Sequence, residues 1–298
     1  MGSGVRRSID GVSTLLSADD PATATRVADE LRAGLLVVVP TDTTYALAAD
    51  AFTPAATRRL LRARGSGRNR PLPVAIRTPY QVGALAADIG DAAQALMDEL
   101  WPGPITLVLR AAPSLGADLG NVRGTVQLRM PADDFVAEVI REVGPIALTG
   151  AHRRGSDWAV TVEQAREQLG SSPAVYADGG ERAGPRSTIV DARGETVTVL
   201  REGAITVDEL REVLGADGVR TGDDDDFATP ADADDAAGEA EARDPVSEPG
   251  GEPAPEPGAQ PAPEPDAEPI PGPEAEPGSG EATGAADDTE GEREGSDR

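Results

Sequence analysis

The chain has 298 residues, a formal net charge of −26 and 39% hydrophobic residues, and these features are unevenly distributed. Residues 1 to 222 carry 24 Arg against 28 acids, whereas residues 223 to 298 carry 3 against 25 and contain a single Phe, Val and Ile among repeated Pro, Gly, Glu, Asp and Ala. With no Cys and one His, the sequence excludes a disulfide framework, a thiolate zinc site and a histidine-built metal centre.

The composition assigns residues 1 to 18 to an N-terminal extension, 19 to 222 to a folded domain and 223 to 298 to an acidic, disordered tail that buries too little apolar surface to offset its ordering entropy. The tail dominates the low pI, so the net charge says little about what the folded part binds. No apolar run approaches the ~20 residues of a membrane span, and residues 1 to 20 lack the apolar region of a secretion signal. The expected location is cytoplasmic, without membrane contact.

In chain order, residues 19 to 33 carry apolar positions at helical spacing, with Asp19, Asp20 and Pro21 as start signals and Gly34 as the stop. Leu35 to Val39 reads as a buried strand ended by Pro40. Further strands are expected at Leu72 to Ile76, Ile105 to Leu109, Thr125 to Met130, Ile146 to Thr149, Ala174 to Ala177, Thr188 to Val190 and Val197 to Leu200. Helices are expected near 54 to 63, 79 to 100, 132 to 143, 161 to 169 and 206 to 214. Capping boxes mark two of these starts, Thr161 with Gln164 and Thr206 with Glu209. The irregular alternation of strands and helices gives one mixed α/β domain of roughly 200 residues.

Three segments place small polar or cationic groups at strand ends, where α/β sheets commonly form ligand crevices. Thr41 to Tyr45 offers hydroxyls and a carboxylate in one turn, suited to a small zwitterion or a metal-bound phosphate, and equally to an ordinary side-chain-capped turn. Arg62 to Arg70 couples four guanidinium groups to two glycines and a serine. That chemistry matches phosphate, or a solvated basic loop. The loop Gly184 to Thr188, with Leu200 to Gly203 one hairpin later, is compatible with anion binding or a plain turn. His152 follows a strand end as the sole imidazole. The chain contains no Lys, so every basic side chain is an Arg.

Taken in order, the segments LLVVVPTDTTYALAADAF, LLRARGSGRNRPLPV, WPGPITLVL, GTVQLRMP, GPIALTGAH, RSTIVD and VLREGAI resemble the YrdC-like threonylcarbamoyl-AMP synthase family, over about Asp19 to Gly215. The resemblance implies a twisted, open mixed sheet around a concave, positively charged cavity. It also implies a reaction in which L-threonine, bicarbonate and ATP, with Mg2+ on the phosphates, give threonylcarbamoyl-AMP and pyrophosphate for tRNA modification. Beyond these substrates, tRNA or tRNA-modification proteins are the implied partners.

By position in the family motifs, Thr43, Arg129 and Ser187 match threonine contacts, and Thr125 and Arg201 match nucleotide contacts. Where the family has a Lys-x-Arg pair this chain has Arg64-Gly65-Ser66, and where the family has Ser-x-Asn it has Gly150-Ala151-His152. Arg64 keeps the charge, while Ser66 removes a guanidinium that Arg68 or Arg70 could replace. The expected site is therefore Arg64, Arg68 and His152 as catalytic groups, with Ser66, Arg70, Thr125 and Arg201 on the nucleotide and no protein-built metal site. The alternative is a non-catalytic paralogue that binds nucleotide or RNA in the same cavity. General RNA binding fits poorly with a folded part that is slightly acidic.

Overall fold

The computed structural model describes residues 13 to 222. The tail assigned to 223 to 298, and the first twelve residues of the N-terminal extension, lie outside the described residues. The strands are β1 (Thr14–Ser17), β2 (Val37–Val39), β3 (Ala46–Asp50), β4 (Val74–Ala75), β5 (Ala86–Ala87), β6 (Ile105–Ala111), β7 (Thr125–Arg129), β8 (Ile146–Gly150), β9 (Val175–Asp178), β10 (Thr188–Asp191), β11 (Val197–Arg201) and β12 (Val219–Thr221). The helices are α1 (Pro21–Arg32), α2 (Pro54–Arg64), α3 (Val82–Leu85), α4 (Asp91–Leu100), α5 (Asp134–Val143), α6 (Val162–Leu169) and α7 (Val207–Leu214).

All twelve strands join one mixed sheet in the order β1-β9-β2-β3-β8-β4-β7-β6-β10-β11-β12, with β5 pairing β6 from the side. The α/β class and the mixed sheet are those expected from sequence, and four details differ. The strand β1, inside the segment read as an extension, pairs in parallel with β9. The strand β3 follows the Thr41 to Tyr45 turn and pairs with β2 as a hairpin arm. Its sequence, Ala-Leu-Ala-Ala-Asp, is poor in β-branched residues and gives almost no strand signal. The expected helix 79 to 100 is broken: a 3-10 turn at Pro79–Gln81 and the short α3 lead into β5, and α4 begins only at Asp91. The break falls at Asp88 and Gly90, where Asp88 takes a positive φ of 53°. The strand β12 closes one edge against β11.

Side chains alternate across the sheet as its pleat requires. Val37, Val39, Ala46, Ala48, Ile146, Leu148, Val175 and Ala177 pack on one face under Val27 and Leu31 of α1 and Val136, Val139 and Ile140 of α5. Their neighbours Val38, Leu47, Ala147 and Tyr176 point the other way, into the larger core closed by α2, α4, α6 and α7. Four helices begin on side-chain caps: Asp20 accepts from Ala22 N–H in α1, Asp133 accepts from Val136 N–H in α5, and both capping boxes read from the sequence are formed.

The sheet is twisted. Between β2 and β7 in sheet order lie β3, β8 and β4, so a flat sheet would separate them by four strand spacings, about 19 Å. Yet Arg129 at the end of β7 forms an ion pair of 2.6 Å with Asp42 just beyond β2. Asp42 lies in the turn between β2 and β3, and the twist of the sheet together with the length of the two side chains brings these ends together. The helices α1 and α5 cover part of one face, and the same strands reach the cavity beside them through Ala46, Ala75 and Leu148.

Two tyrosines tie the frame together. The Tyr45 hydroxyl donates to Gly180 O at 2.7 Å and accepts from Gly179 N–H at 3.0 Å, latching the start of β3 to the loop after β9. The Tyr176 hydroxyl donates to Gly170 O at 2.7 Å, beyond α6. Burial is the main cause that pushes both phenols up to about 12 from 10.0. A raised acid pKa in the folded state favours the neutral form, so the contribution is complete below pH 10 and is lost as pH climbs toward 12. The urea midpoint should therefore fall between pH 10 and 12, and the fall should be shallower in Tyr45→Phe and Tyr176→Phe; identical slopes in all three proteins would contradict the latch.

Candidate active site

The cavity opens on one face of the sheet and, counted together with the solvent at its mouth, comprises about 560 Å³. Its floor is built from small or apolar residues, Ala46 of β3, Ala75 of β4, Leu148 of β8 and Ile189 of β10. Alternate residues of these strands, such as Val74 and Val190, face the main core, so the strand period itself selects which side chains reach the ligand space.

The Thr41 to Tyr45 turn forms one wall. The Thr41 hydroxyl donates to Thr44 O at 2.6 Å and accepts from the backbone N–H groups of Thr43 and Thr44 at 3.2 and 3.3 Å, which fixes the turn from within. The turn is thus both a side-chain-capped turn and part of the cavity, so the two readings of that segment are compatible. Within it, Thr43 Oγ1 lies 3.4 and 3.5 Å from the two terminal nitrogens of Arg129. Arg129 also donates from Nη2 to Asp42 Oδ1 at 2.6 Å, with both side chains about nine-tenths buried. Asp42 Oδ2 is buried without a hydrogen-bond partner. A charge-assisted pair in this setting orients the guanidinium while leaving its other edge directed at Thr43 and the cavity.

A second wall comes from the β10 to β11 hairpin and the loop before it. Arg201 donates through Nη2 to Ser187 O and Ser187 Oγ at 2.8 and 3.1 Å, and through Nε to Ser187 O at 3.2 Å. The Thr188 hydroxyl accepts from Gly203 and Ile205 N–H groups at 3.0 and 2.9 Å, clamping the hairpin on itself. Gly203 is required there, because a Cβ would overlap Arg186 O and stand 2.8 Å from Ser187 C. The structure therefore brings Thr43, Arg129, Ser187 and Arg201 to one cavity from four separate segments.

The other six expected site residues are not in this cavity's lining. Thr125 sits at the far end of β7, four residues or about 13 Å along the strand from Arg129, with its hydroxyl donating to Val122 O. Arg68 is exposed and pairs with Asp118 at 2.7 and 3.1 Å, a bond that holds the Asp118 carboxyl below its usual range. Arg70 is buried, and Ser66 keeps its hydroxyl buried without a partner. Arg64 is fully buried at the end of α2, where its Nη1 lies 3.1 Å from His152 Nε2 and 3.4 Å from His152 O. A guanidinium only donates, so Nε2 accepts and the proton of the neutral ring is on Nδ1.

His152 is also fully buried, behind the cavity wall. Its ring packs on Trp158 with centroids 4.2 Å apart and planes tilted by 48°. The space it fills exists because position 150 is Gly: a Cβ there would overlap the imidazole and approach Trp158 to 2.8 Å. Replacement of Ser by Gly at 150 and of Asn by His at 152, read from the motif as separate departures, is thus one steric event. Trp158, Thr149 and Arg186 also line the cavity, and the sequence reading left all three out of the site. Trp158 lies in a polar loop without periodicity, and Thr149 looks like an ordinary strand residue. Arg186 was visible as part of a Gly-Pro-Arg-Ser loop.

The family model for the Sua5/YciO/YrdC domain, described as telomere recombination, matches residues 29 to 203. The chain belongs to this family. A putative threonylcarbamoyl-AMP synthase of Mycobacterium tuberculosis is 45% identical over 190 residues, covering 63% of this chain and 87% of the relative. The crystal structure of Pyrococcus abyssi Sua5 complexed with L-threonine superposes with a TM-score of 0.68 at 28% identity, over 74% of this chain and 66% of that one. E. coli YciO shares the fold, with a TM-score of 0.59 at 23% identity over 64% of this chain and 96% of its own.

The steric coupling of Gly150 and His152 is testable. Gly150→Ser should destabilise the protein by about 1 to 3 kcal/mol in urea denaturation, because the added atoms overpack a full site. Adding His152→Asn should recover most of that loss, and a strictly additive double variant would contradict the coupling.

Proposed function

We propose that the protein is an L-threonylcarbamoyladenylate synthase, a nucleotidyltransferase-type enzyme that acts in tRNA threonylcarbamoyladenosine modification. The carrying observation is the joining of Thr43, Arg129, Ser187 and Arg201 in one concave cavity of a family whose curated relatives are named for this activity.

The geometry supports the following chemistry. Arg129, oriented by Asp42 and Thr43, offers a guanidinium edge to the carboxylate of L-threonine. The polar pocket of Thr41, Thr43 and Thr44 accommodates its remaining polar groups. Threonine nitrogen bonds to the carbon of bicarbonate with loss of water, and a carbamate oxygen then attacks the α-phosphorus of ATP while the bond to pyrophosphate breaks. Such a reaction depends on alignment and on charge stabilisation of the departing phosphates. Arg201, fixed on Ser187, supplies a positioned cation for that purpose.

Magnesium would enter with the nucleotide and neutralise phosphate charge. Among the described residues there is no group of three metal-ligating side chains, so this role fits a metal held largely by phosphate oxygens and water. No helix among the described residues is long and apolar enough to cross a membrane, and a cytoplasmic location is part of the proposal. Transfer of the product to tRNA would require tRNA or a modification partner protein.

The purified full chain, supplied with ATP, magnesium, bicarbonate and L-threonine, should release pyrophosphate only when all four are present. Arg129→Lys should lower kcat/KM by about 10²-fold, about 2.7 kcal/mol at the transition state, mainly through the threonine term. Release independent of threonine, or an unaffected Arg129→Lys enzyme, would sink the proposal.

A further inference from the structure

Three arginines line the cavity, and two have evident tasks: Arg129 is bound to Asp42 and Thr43, and Arg201 to Ser187. Arg186 is the third. Its guanidinium carbon lies 5.2 Å from the centroid of Trp158, in cation–π range. The Trp158 ring in turn packs on His152, and His152 on the buried Arg64. On the other side, the backbone of Arg186 is fixed by the hairpin, through Ala204 N–H donating to Arg186 O at 2.7 Å and the close approach of Gly203. A half-buried arginine held by both main chain and side chain presents its charge at low entropic cost.

We propose that Arg186 is a substrate-binding cation for the phosphates of ATP, and that Trp158 and His152 are positioning residues that hold it at the cavity wall, with Arg64 behind them. This deepens the synthase reading and rests on it. The choice of phosphate over the threonine carboxylate follows from charge. Arg129 with Thr43 provides one guanidinium for one carboxylate, at the turn on one wall. Arg201 binds Ser187, the residue next to Arg186 in the chain, and both arginines line the cavity, so this side offers two guanidinium groups, which suit a polyanion. The arrangement also gives the four residues of the buried stack a common purpose: Gly150 leaves the room, His152 fills it, and the pressure on Trp158 keeps its face beneath Arg186.

The test is calorimetric ATP binding by the full chain, with and without magnesium, alongside L-threonine binding and turnover. Arg186→Ala should weaken ATP binding at least tenfold with threonine binding changed less than twofold, and Arg186→Lys should recover part of the loss. Trp158→Leu and His152→Asn should weaken ATP binding by several-fold in the Arg186 background and by less than twofold once Arg186→Ala is present. Circular dichroism melting confirms that each variant is folded, and Arg186→Ala, in a half-buried loop, carries the test if the buried variants are not. Unchanged ATP binding in Arg186→Ala overturns the cation role, and full additivity with His152→Asn overturns the positioning role. A chain that turns over but ignores Arg186→Ala refutes this inference alone, whereas ATP binding that depends on Arg186 without turnover refutes the synthase reading alone.

Discussion

The ion pair between Arg129 and Asp42 is the contact on which the cavity depends. It joins the end of β7 to the turn between β2 and β3, across the intervening strands β8 and β4, and so ties two separate segments of the cavity to each other. Buried pairs of this kind bring little net stability, since desolvation offsets their attraction, but breaking one leaves a charge without compensation. Its value is directional: it fixes where a guanidinium edge points before any ligand arrives. Catalysis by alignment and electrostatics needs that kind of preorganisation.

Around this contact, one side of each strand faces the larger core, and the other side serves both the smaller core under α1 and α5 and the cavity floor, with Ala46, Ala75 and Leu148 in both. Small residues, Ala46 and Ala75 among them, make room, while charge enters from loops and strand ends. The Thr41 turn and the β10 to β11 hairpin are each held by their own hydroxyls, Thr41 and Thr188, and Gly184 N–H donates to Thr43 O at 3.2 Å between them, so the two walls brace each other.

The α/β class was legible from local patterns, and the resemblance of the ordered motifs picked out Thr43, Arg129, Ser187 and Arg201, which line one cavity. The strand β3 escaped because alanine-rich segments bury well in a small space but carry no β-propensity, and the broken helix at 79 to 100 escaped because its apolar spacing continues through the break at Asp88. The placements of Arg64, Arg68 and His152 were not legible for a different reason. Whether an arginine faces a cavity, a surface aspartate or a buried imidazole depends on partners 50 to 88 residues away. The stack of Arg64, His152, Trp158 and Arg186 joins three segments with no common sequence period, and only the fold shows that Gly150 and His152 form a single unit.

The most direct measurement of the central claim is the fate of labelled bicarbonate. The full chain incubated with 13C-bicarbonate, ATP, magnesium and L-threonine should yield, by mass spectrometry, an adenylate one mass unit heavier than the unlabelled threonylcarbamoyl-AMP, with the label in its carbamoyl carbon. An adenylate lacking the label, or ATP cleavage with no threonine-containing adenylate, would contradict it.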